Sequence, residues 1–179
     1  MPVGYISINH SISFKMDLGN ILLWSIITLL CVVPFIVLSN IAKKKKQQDL
    51  KALLDFAANH HFTITQYDLW FKSAIGLDEA KQAIVFVSNL RGTPVEQWVM
   101  LEDIQKCQIN ETSRMVGGQD QSSKVVDKFE LVFSSSKGNT AFEFFNVNSG
   151  NLTPTIEYQL AEKWSKMANE RIAALVQAK

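Results

Sequence analysis

The chain has 179 residues, 47% of them hydrophobic, with 18 Lys and Arg against 17 Asp and Glu and a formal net charge of +1. From Gln47 to the end it holds 13 basic and 16 acidic residues, a balance of −3. That argues against nucleic acid as a partner, because phosphate binding needs Lys and Arg clustered on a domain face.

Residues 1–17 read as a short extracytoplasmic N-terminal segment. Ile6, Ile8, His10, Ile12 and Phe14 alternate with Ser7, Asn9, Ser11 and Ser13, which is a strand period. Two origins fit: a strand that adds to the sheet edge of a partner, or an upstream start assignment with Met16 as the native beginning.

The segment 18–42 is predicted to be a transmembrane helix. Ile21 to Leu38 is apolar and free of charge, and a helix satisfies its own backbone in lipid. Lys43, Lys44, Lys45 and Lys46 follow. Basic residues beside a span resist translocation, so the N-terminus is expected outside and the rest in the cytoplasm. No A-x-A cleavage site follows the run and its positive charge comes after it, the reverse of a secretory signal. The expected placement is a single pass through the inner (plasma) membrane. The lipid bilayer is then one partner, with anionic headgroups facing the lysine cluster. Pro34 removes one helical hydrogen bond and predicts a mild kink.

Residues 43–61 are read as a basic border and a stalk helix. Leu50, Leu53, Leu54 and Ala57 form one stripe, and no Gly or Pro separates them from the preceding helix. His60 and His61 are expected to end it, where positive charge is favoured. From 62 to 151 the period is that of strands. The segments 62–65, 70–77, 83–87, 97–101, 104–109, 124–133 and 140–147 are the candidates, with Gly138 in a hairpin loop at 135–139. Residues 112–123, rich in Ser, Gln and Gly, are expected to be a mobile loop. Residues 152–179 carry a C-terminal helix with Thr153 as cap and Pro154 in its first turn. Its apolar face runs Ile156, Leu160, Trp164, Met167 and then Ile172, Leu175, Val176.

These elements predict one transmembrane α-helix plus an α+β cytoplasmic domain, an antiparallel seven-stranded β-sandwich or barrel capped by the C-terminal amphipathic helix. The strings Ser73-Ala74-Ile75-Gly76-Leu77-Asp78, Ile84-Val85-Phe86 and Val99-Met100-Leu101-Glu102-Asp103-Ile104 resemble those of small bacterial pleckstrin-homology-like proteins with an N-terminal anchor. In phosphoinositide-binding members of that class, several basic residues surround an early hairpin loop. Here that loop is Asp78-Glu79-Ala80-Lys81, which is acidic. The resemblance therefore implies a protein-binding module rather than an inositol-phosphate site.

No catalytic, cofactor-binding or metal-binding residues are expected. His60 and His61 are adjacent, and neighbouring helical residues point about 100° apart. Glu102 and Asp103 point to opposite faces of a strand. Cys31 and Cys107 lie in no metal-type spacing and read as small buried apolar residues. Most aromatics belong in a core. In Trp70-Phe71 and Phe144-Phe145, however, consecutive rings should face opposite sides of a strand. Exposed aromatic surface marks an interface, unless the stalk or C-terminal helix covers that second face. The candidate partner contacts are Trp70, Phe71, Met115, Ile172, Leu175 and Val176. The expected function is a non-enzymatic, membrane-anchored adaptor or scaffold. It would bind a protein partner, a second copy or a larger membrane complex. The alternative is an accessory subunit of such a complex, held mainly through its span.

Overall fold

The computed structural model describes residues 18–118, 121–150, 154 and 156–178. The alternating segment 1–17, including Met16, and the expected cap Thr153 lie outside the described residues. The chain divides into two compact units, Met1–Lys43 and Lys44–Lys179.

In the first unit the described residues belong to helix α1, which runs Leu18–Asn59 and contains Pro34. The side chains described between Trp24 and Pro34, and Val37, are exposed. The Thr28 hydroxyl donates back to the Trp24 carbonyl at 2.8 Å. Among the described residues no helix is long and apolar enough to cross a membrane. This overturns the expected transmembrane helix over 18–42, and with it the single-pass, inner-membrane placement. A span needs about 20 consecutive, predominantly apolar residues. The same helix continues through exposed Lys43, Lys44, Lys45 and Lys46 into polar sequence.

The second unit also corrects the expected architecture. In place of a single seven-stranded sandwich or barrel there are two separate antiparallel sheets among the described residues. The first has order β1-β2-β3-β4, with β1 Gln66–Trp70, β2 Ser73–Asp78, β3 Ala83–Ser88 and β4 Val95–Met100. The second has order β5-β6-β7, with β5 Ile104–Gly118, β6 Gln121–Ser135 and β7 Gly138–Asn146. A 3-10 turn at Leu101–Asp103 separates β4 from β5 and ends the first ladder. Helix α2 runs Glu157–Gln177, so Pro154 lies before it, not in its first turn.

The middle strands of the first sheet, β2 and β3, are buried at every position and so are covered on both faces. Ile75, Leu77, Ile84 and Phe86 enter one core with Phe129, Leu131, Phe133, Phe142, Phe144 and, from α2, Trp164. Ala74, Ala83, Val85 and Val87 enter a second core with Leu53, Phe56 and Ala57 of α1 and with Phe62. The expected strand 70–77 is in fact two strands. Trp70 pairs with Ser73 across a two-residue turn in which Lys72 has φ 51°.

The second sheet settles the paired phenylalanines. Phe129 pairs with Phe145 and Glu130 with Glu143, leaving Phe144 as the extra residue of a β-bulge. A bulge re-aims one side chain, so Phe144 and Phe145 are both buried in the same core. The expected loop at 112–123 is mostly strand. β5 and β6 pair out to Gly118 and Gln121, with an irregularity between Thr112 and Ser113. β7 pairs only with Lys128 to Ser135 of β6, so the far part of this hairpin is a two-stranded arm.

Helix α2 is tied to both sheets. The Trp164 indole N–H and Lys163 Nζ donate to Asp68 Oδ2 of β1 at 2.8 and 2.6 Å. Asn169 grips the Cys107 backbone of β5 from both sides, accepting from its N–H at 3.0 Å and donating to its carbonyl at 2.7 Å.

The tightest approach of the first sheet to its helical cover is at Gly76. A Cβ there would meet the Ile64 side chain at 2.9 Å and that of Leu53 at 3.1 Å. Gly76→Val should therefore destabilise the second unit by about 1–3 kcal/mol through overpacking, read as a lowered denaturation midpoint. An unchanged midpoint would mean that the helix does not press on the sheet there.

Candidate functional site

The site is assembled where α1 ends over the first sheet. Helix α1 stops because His61 takes a left-handed conformation, φ 61°. The amide of Phe62 then donates to the Ala57 carbonyl at 2.8 Å, and that of His61 to Ala58 at 2.9 Å. This closes free carbonyls at the helix end.

Asp78 fixes the chain that follows. Its carboxylate accepts the Thr63 N–H at 2.7 Å through Oδ2 and the Lys81 N–H at 2.9 Å through Oδ1. Asp78 is buried, which by itself raises the pKa of a carboxyl. The amides of Thr63, Lys81 and Ala80 and the Lys81 charge outweigh burial and hold it below the ordinary value. The acidic turn at 78–81 is thus a clamp. Lys81 adds a bond from Nζ to the His61 carbonyl at 2.7 Å and lies over the Phe62 ring at 5.4 Å.

On this base sits an exposed aromatic platform. The Trp98 ring lies 5.4 Å from that of Phe62 and 6.3 Å from that of His60. The Phe56 and His60 rings are 4.5 Å apart. Phe62 is buried, but Trp98 keeps 43% of its surface exposed. Helix α1 ends at Asn59 and leaves this indole uncovered. Trp98 stands on β4, which is paired with β3 alone and forms one edge of its sheet.

Two residues earlier on the same strand face, Glu96 lines a cleft of about 300 Å³. It is also lined by Asp49 and Ala52 of α1, Lys72 of the β1–β2 turn and Ser73 at the start of β2. Burial raises the Asp49 pKa, and the Lys45 charge one turn away offsets part of that. A second cleft of about 270 Å³ holds Arg91, Lys128, Glu130 and Glu143. Its charges are spent on one another, Arg91 with Glu143 at 2.5 Å and Lys128 with Glu130 at 2.5 Å.

The contacts expected from sequence fall into two groups. Trp70 is buried, its indole N–H donating to the Phe144 carbonyl at 3.0 Å. Ile172 is in the core and Leu175 packs half-buried against it. These three serve the fold. Phe71, Met115 and Val176 are exposed, Phe71 in a turn, Met115 on the two-stranded arm and Val176 at the end of α2. They do not meet at one site. Cys107 is buried, and burial pushes its thiol up to about 12. His60 belongs to the platform. Among the described residues no group of three or more His, Cys, Asp or Glu is disposed to hold a metal. Sequence reasoning missed Trp98, counting it with the core aromatics. The available signal was Glu96, an outward-facing charge on the same face of the same strand.

Comparison with protein-family models, curated proteins and solved structures finds no match.

Because its folded pKa is lowered, Asp78 contributes stability at neutral pH that is lost as pH falls below the usual carboxylate range, near 4. Asp78→Asn should cost about 1–3 kcal/mol at pH 7 and flatten the acid limb of stability against pH. An acid limb identical in both proteins would place the sensitive carboxylate elsewhere.

Proposed function

We propose that this chain is a non-enzymatic protein-interaction module whose docking surface is the Trp98 platform and the β4 edge beside it. The observation that carries the reading is the exposed indole resting on Phe62 and His60. A large aromatic held in place at little conformational cost and left open to solvent is the kind of residue that dominates protein interfaces. The kinship with pleckstrin-homology-like proteins belongs to the same proposal. In its support, the resembling strings fall on β2, on β3 and on the passage from β4 through the 3-10 turn to β5. The first of these strings contains Asp78, which holds the segment that follows Phe62, and the last begins one residue after Trp98.

The test is site-specific photo-crosslinking in the native cells, with a benzophenone side chain at position 98 and a control at exposed Lys166 of α2. The reading expects one dominant adduct from position 98 and none from 166. An adduct of twice the chain mass identifies the partner as a second copy; any other mass identifies a distinct protein. Trp98→Ala should weaken that association about tenfold or more, as truncated aromatic anchors do, with the denaturation midpoint nearly unchanged. No adduct from 98, or equal labelling from both positions, contradicts the reading.

A further inference from the structure

We infer that the β4 edge takes an extended strand of a partner protein that carries a basic residue two positions from an apolar one. The inference rests on the protein-docking reading above and names the ligand chemistry of that surface.

The edges of the two sheets are treated differently. β5 is sealed at Cys107, where Asn169 occupies both the N–H and the carbonyl that an added strand would use. Ser165 adds its hydroxyl to the same carbonyl at 3.4 Å. Farther along, the β5–β6 arm pairs Arg114 with Asp127 at 3.0 Å and Lys124 with Glu111 at 2.7 Å. Charge on an edge opposes strand addition. Among the described residues no side chain seals the outer backbone of β4, and its one charge is Glu96, which has no ion pair. β4 pairs with β3 alone, and Val95, Glu96 and Trp98 are exposed.

A strand added to β4 would align its side chains with those of β4, alternate residues on each face. Opposite Glu96 it would meet two carboxylates, because Asp49 lines the same cleft. Among the described residues neither Glu96 nor Asp49 is in a salt bridge, while the nearby Lys72 ammonium lies over the Phe71 ring at 5.3 Å. A Lys or Arg there supplies a counter-charge to Glu96, beside Asp49, which Lys45 offsets only in part. Two residues on, opposite Trp98, the added strand meets the aromatic platform, which takes an apolar side chain. A second basic residue at that point is disfavoured, because Lys81 already lies against Phe62.

The probes are two synthetic peptides, acetyl-Thr-Val-Lys-Thr-Leu-Val-Thr-amide and the same peptide with Glu in place of Lys. Each is titrated against the full chain and followed by amide hydrogen exchange and by Trp98 chemical shift. The Lys peptide should slow exchange across 95–100 and not across 104–118, and should bind about tenfold tighter than the Glu peptide, as expected for charge-set specificity. Glu96→Lys should reverse that preference while leaving the denaturation midpoint in place. Equal binding of the two peptides, binding of neither, or protection on another strand overturns the inference. In those cases an adduct from position 98 in cells would still uphold protein docking, and loss of that adduct would remove the docking reading itself.

Discussion

The middle strands of the first sheet depend on being covered on both faces. β2 and β3 have no solvent side: one set of residues enters the core shared with the second sheet and α2, and the alternate set enters the core under α1. Two-sided burial removes roughly twice the apolar surface of a half-buried strand, and hydrophobic stabilisation scales with that area. It also leaves little tolerance for volume, which is why a glycine stands where Leu53 and Ile64 come closest. The Asp78 clamp follows from the same constraint. Residues 62–65 must lie flat against the sheet, and a buried carboxylate that collects backbone donors from both the incoming chain and the turn holds them there.

Function in this account arises where that cover stops. Helix α1 closes at His61, and β4 is left as an edge with its indole partly in solvent. The fold spends polar side chains to seal β5 and ties α2 to β1, yet spends none on β4. An unsealed edge is a liability in a lone domain and a template for a partner strand. The difference between the two edges is what gives the docking reading a location.

Much of the local structure was legible in the sequence, and the failures have physical causes. The strand period of β6 and β7 and the Gly138 turn could be read directly, because alternation and turn chemistry are local. The Phe144-Phe145 pair could not, since period two assigns them to opposite faces and only a bulge brings both inward. The Ser- and Gly-rich stretch at 112–118 reads as a loop by composition, but pairing with β6 makes it strand, an override of propensity by partner backbone. The apolar run at 21–38 dominates the sequence and suggested a span that the described helix does not provide. Of the candidate contacts, Trp70 and Ile172 went to the core because they face it across distances in sequence that periodicity does not register. Trp98 was misjudged for the converse reason: whether an aromatic is covered depends on where a helix forty residues earlier happens to end.

The measurement that bears most directly on this account is amide hydrogen exchange across the free, full-length chain. The account predicts the slowest exchange in β2 and β3, buried on both faces, and fast exchange at the outward amides of β4. Protection of β4 equal to that of β2 and β3 in the free chain would contradict it, since the edge would then already be covered and no strand could be added there.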